Sequence, residues 1–136
     1  MNVHCWTVFI AALSFIFSVV SLIITLSIDA KRNRALLFTE YAKRYQDIVL
    51  HLYSDPQNKG AYHRLYFDLC SEEYYLHSKN LLPKDIWGKW EYGMKLMLKK
   101  EPLRNSWKMN SVYYDQQPEF KKFFGDIIQQ SINNQY

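Results

Sequence analysis

The sequence predicts an all-α protein: one N-terminal transmembrane helix, able to run on into the first helix of a small four- to five-helix soluble domain. Three observations predict it. From Val8 to Ile28 the chain is apolar and carries no charged side chain. After Ala30 the large apolar residues recur at spacings of three and four, the helical rhythm. No stretch alternates with period two for long enough to make a strand; Val112-Tyr113-Tyr114 comes nearest and is too short. The expected division is therefore an anchor over 1–29 and a cytoplasmic helical domain over 30–136.

As a helix, Val8–Ile28 would be roughly 31 Å long, the thickness of a bilayer's hydrocarbon core. A cleaved signal peptide would start with basic residues and end at a small-residue cleavage site. Met1–Thr7 contains no Lys or Arg, and Ser27-Ile28-Asp29-Ala30 is a poor site, so an uncleaved anchor is expected. Lys31, Arg32 and Arg34 follow the span directly, with Lys43 and Arg44 beyond. Positive residues stay on the cytoplasmic side, which predicts a single-pass inner (plasma) membrane protein with its N-terminus outside. Within the span, Ala11, Ser14, Ser18, Ser21 and Thr25 place small side chains in one seam. Such a seam lets two membrane helices approach, the chain's own copies included, or its hydroxyls bond their own backbone.

All 17 Lys and Arg lie after the span, against 13 acids in the whole chain, a modest excess that suits solubility and some attraction to anionic lipid. Cys5 and Cys70 would fall on opposite sides of the bilayer, so no disulfide is expected. Cys5 is open to lipid modification but lacks a lipobox, and Cys70 reads as a small buried residue.

The soluble helices follow in order. Phe38, Tyr41, Tyr45, Ile48 and Leu52 give Ala30–Tyr53 an apolar face, and nothing between Ile28 and Arg34 breaks a helix. Ser54–Gly60, with Pro56 and Gly60 around polar residues, is a loop. A helix from Ala61 to Ser78 is expected to bury Tyr62, Leu65, Tyr66, Leu69, Cys70 and Leu76. Pro83 opens a third, with Trp87, Trp90, Met94, Met97 and Leu98 in one stripe. Pro102 restarts the chain into a short fourth with Leu103 and Trp107. Pro118 opens a fifth with Phe120, Phe123, Phe124, Ile127 and Ile128 inward. The tail Ser131–Tyr136 is polar and expected to fray.

Tyr66-Phe67-Asp68-Leu69-Cys70-Ser71-Glu72-Glu73-Tyr74-Tyr75-Leu76, then Trp87-x-x-Trp90-x-x-Gly93-Met94 and Trp107, resembles a group of short uncharacterised bacterial proteins. Those have one N-terminal membrane helix and a small all-helical domain, in which an acidic-aromatic helix precedes a Trp-x-x-Trp helix. The resemblance implies a membrane-tethered helical protein and implies no activity.

Three chemistries can be set against the residues. Cys70, Glu73 and His77, three and four apart, share a helical face and could begin a metal or enzymatic site, but a structural zinc site needs a fourth ligand. The competing reading makes Cys70 core and His77 a favourable helix end. Asp68, Glu72 and Glu73 could form an acidic docking patch, or pair with the chain's own Lys and Arg. Trp87 and Trp90 read as core, with a protein groove as the next reading if a ring is exposed; Gly93 would then permit a close helix crossing. Lys99, Lys100, Arg104 and Lys108 with Trp107 could hold RNA or anionic lipid, although Glu101 interrupts them and no nucleic-acid-binding fold is recognisable. No nucleophile motif or P-loop occurs, so no cofactor is expected. The expected role is a membrane-tethered protein-interaction domain, with the lipid bilayer and another protein as partners.

Overall fold

The computed structural model describes residues 3–133, and their side chains from Trp6 onward; the Cys5 side chain and the last part of the polar tail, residues 134–136, lie outside what is described. The protein is all-α. Helix α1 (Val3–Ser54) is continuous, and α2 (Lys59–Ser78), α3 (Lys84–Leu98), α4 (Glu101–Asn110) and α5 (Pro118–Asn133) follow, with 3₁₀ turns at Pro56–Asn58 and Ser111–Tyr114. The chain divides into two compact units, one ending at Leu37 and one starting at Phe38.

In the first unit every described residue from Trp6 to Leu36 is exposed. By length and composition this helix can cross a membrane. Ser14, Ser18 and Thr25 each donate a 2.9 Å hydrogen bond to the carbonyl four residues back. In the single chain these hydroxyls are thus satisfied by the helix that carries them.

The second unit is built around α2, which packs against α3, α4 and α5. Because neighbours cover it on several sides, α2 buries Tyr66, Phe67, Leu69, Cys70, Ser71 and Glu73, more than one helical stripe. Phe67 is fully buried with its ring 5.1 Å from Trp107 and 5.7 Å from Phe124. Leu65, which the three-four rhythm places in the core, is 49% exposed. The prolines punctuate as expected: Pro56 follows α1, Pro83 caps α3, Pro102 lies in the first turn of α4 and Pro118 starts α5. Helix α2 ends at Ser78, and the chain turns out of it at Asn80, whose φ of 55° is left-handed. The Asn80 amide bonds the His77 carbonyl and the Leu81 amide that of Leu76, the paired closure that turns a chain sharply out of a helix. Val112–Tyr114 falls in a 3₁₀ turn that buries Tyr114.

Candidate functional site

A groove of about 230 Å³ opens in the second unit between α1, α2 and α3. Phe38, Tyr41 and Tyr45 reach it from α1, Tyr66 and Glu73 from α2, and Lys89, Trp90 and Met94 from α3. The helical rhythm explains the grouping: Phe38, Tyr41 and Tyr45 share one face, as do Trp90 and Met94. Trp90 packs its ring 5.0 Å from that of Tyr41, and Tyr45 lies 6.3 Å from Tyr66. Gly93 borders the same space, and a Cβ there would meet nothing within 4 Å. It therefore leaves room in the groove and does not admit a close helix crossing.

Glu73 is the unusual residue of this groove. It is 94% buried, as its 6% relative exposure shows, and no hydrogen bond reaches its carboxyl among the described residues. Burial is the main cause that lifts its pKa from 4.5 to about 8; Glu72 adds to the rise and Arg44 opposes it. The carboxyl is thus mostly protonated at neutral pH. Glu72, one residue earlier, is the opposite case. Arg44 grips it with two hydrogen bonds of 2.6 and 3.0 Å, and the Tyr41 hydroxyl donates a third at 3.3 Å. The Arg44 hydrogen bond holds the Glu72 carboxyl below its ordinary value.

Both partners of that ion pair are about two-fifths exposed, so solvent screens it. Arg44→Ala is expected to change the unfolding free energy by no more than about 1 kcal/mol. Denaturant titration of the detergent-solubilised chain measures this, and a loss several times larger would show that the pair anchors α1 to α2.

The remaining candidates disperse. Asp68 accepts a 2.6 Å hydrogen bond from the Tyr114 hydroxyl. Trp87 and Trp107 are buried, whereas Trp90 is only partly buried at the groove. Lys100 donates to the Tyr53 hydroxyl at 2.7 Å, and Lys99 and Lys108 are exposed. Arg104 has a buried Nη1 without a hydrogen-bond partner. Cys70 is fully buried, which pushes its thiol up and keeps it protonated. His77 instead stacks on Trp87, ring centroids 4.1 Å apart. Among the described residues no three His, Cys, Asp or Glu side chains group as a metal site, so Cys70, Glu73 and His77 are not gathered into a ligand set.

Periodicity identified the aromatic faces of α1 and α3 separately. It could not show that they meet over Glu73. The only hint in the sequence is a glutamate one turn after Cys70 on the buried face of α2.

Compared with known proteins, the chain matches no family model, no curated protein and no solved structure. The likeness drawn from the sequence therefore rests on architecture alone, a long apolar N-terminal helix followed by a small helical domain.

Proposed function

We propose that the chain is a single-pass membrane protein, N-terminus outside and residues 30–136 cytoplasmic, whose helical domain binds another protein in an adaptor, regulatory or assembly role. The exposure of α1 carries this reading. Phe15 and Phe17 are 71% and 81% exposed, no side of the helix from Trp6 to Ile28 is charged or covered, and the Ser14, Ser18 and Thr25 hydroxyls bond its own backbone. A helix of a soluble protein hides one apolar face; one that is apolar all round belongs in lipid. Lys31, Arg32 and Arg34 favour retention of the following chain inside the cell. Tethering would raise the local concentration of the domain near a membrane-bound partner, so modest contacts suffice. The aromatic groove, rich in the side chains that anchor interfaces, supports a binding role.

Crosslinking in native membranes tests it, with the full chain beside a version lacking residues 1–29. The full chain is expected to give a discrete crosslinked product that the shortened one largely loses. Protease added outside sealed cells is expected to leave the helical domain intact. Digestion of that domain from outside, or release of the full chain by alkaline extraction, would overturn the reading.

A further inference from the structure

From the groove we infer that the helical unit holds a binding site for a small, singly charged organic ammonium ion, with Glu73 as its counter-ion and the rings of Tyr41, Tyr45, Tyr66 and Trp90 as its walls. Four observations converge on that chemistry. Aromatic rings line the groove, and the quadrupole of a ring attracts a cation. Glu73 is its buried acid, and nothing in the chain hydrogen-bonds that carboxyl among the described residues. Arg44, the nearest cation on α1, is committed to Glu72 by both of its terminal nitrogens. The volume of about 230 Å³ is below the range of about 300–1,000 Å³ typical of drug-sized ligands and suits a headgroup-sized ion.

Substitution on the nitrogen follows from what the walls lack. A primary ammonium needs three acceptors, and beyond the Glu73 oxygens the groove is mostly apolar ring and methionine surface. An alkylated ammonium needs few or none. Lys89 sets the charge limit. Its ammonium lies 5.9 Å from the Phe38 ring centroid at the same groove, so a second positive charge on the ligand would meet it.

Binding has a proton signature. Glu73 is surrounded by Tyr41, Arg44 and Tyr45 on α1, Tyr66, Cys70 and Glu72 on its own helix, and Lys89 on α3. The three tyrosines and the cysteine are all shifted upward by burial and stay neutral through pH 9. Glu73, with its pKa at about 8, is thus the group that changes charge between pH 7 and 9. The bound cation takes the ionised carboxylate, and the carboxyl proton passes to solvent.

The test uses the full chain in a non-ionic detergent free of choline headgroups. Calorimetry and tryptophan emission follow titration with tetramethylammonium, choline and the neutral choline isostere 3,3-dimethylbutan-1-ol. Both cations are expected to bind saturably, about tenfold tighter at pH 9 than at pH 7, as the ionised fraction of a group titrating near 8 requires. Glu73→Gln is expected to weaken them at least tenfold and to remove the pH dependence. Gly93→Leu should fill the groove and abolish binding with the helix content and melting temperature retained, because leucine suits a helix better than glycine. Equal binding of the neutral isostere, affinity independent of pH, full affinity in Glu73→Gln, or no saturable response to either cation would overturn the site. None of these outcomes bears on membrane insertion or on capture of a protein partner.

Discussion

Glu73→Gln is expected to stabilise the helical unit by about 3–5 kcal/mol at pH 9 and to leave it nearly unchanged at pH 4. The sign follows from the titration. In the unfolded chain this carboxyl ionises near 4.5, and in the fold near 8. Between those values the folded state binds the extra proton, so stability is full below 4.5, falls as pH rises, and has lost this contribution above about 8. Each pK unit corresponds to about 1.4 kcal/mol, and glutamine keeps the shape without a proton to lose. Other groups also move. Desolvation lowers the His63 value, and the Tyr66 and Tyr114 hydroxyls are pushed up by burial. Those contributions are common to both proteins and cancel in the difference. Denaturant unfolding of full-length wild type and variant, followed by tryptophan emission from pH 4 to 9, measures it. Parallel stability curves would mean that Glu73 finds a partner or water in solution. A glutamate kept at such a cost is the pattern expected where a residue serves binding in place of stability.

The second large effect lies in the core. Phe67→Ala is expected to cost about 3–5 kcal/mol, a large share of the stability of a domain this size. Phe67 is wholly inaccessible and meets Trp107 and Phe124 edge-on, so alanine would strand two ring contacts and leave a void that fixed helices cannot close. Leu65→Ala, two residues earlier, is the internal comparison. With Leu65 half exposed, its loss should be about 1 kcal/mol or less. Equal losses at the two positions, read from thermal melts in detergent, would mean that α2 is rotated from the orientation described.

That pair also shows how far the sequence could be read. The apolar N-terminal run, the proline-marked starts of the later helices and the stripe of Phe120, Phe124, Ile127 and Ile128 follow from periodicity and punctuation, and the fold has them. On α5 this works because one face is buried and the other wet. Helix α2 defeats the method because it is enclosed by α3, α4 and α5. A single stripe drawn through Tyr62, Leu65, Tyr66, Leu69, Cys70 and Leu76 catches the buried Tyr66, Leu69 and Cys70, but it takes in the exposed Leu65 and leaves out Phe67. The groove was harder still. Its walls come from helices separated by loops, and its buried carboxyl looks in sequence like any neighbour of Glu72. Whether a glutamate faces an arginine or an apolar wall is a tertiary fact, and no spacing rule contains it.

The central position of α2 has a consequence for biosynthesis. Three of its packing partners, α3, α4 and α5, are encoded downstream of it. Phe67 can be sealed from water only when Phe124, 57 residues downstream, arrives. A nascent chain halted before Pro118 therefore emerges from the ribosome with an open aromatic face, the kind of surface that chaperones and proteases recognise. Closure of that face waits for α5, however early the apolar segment is made.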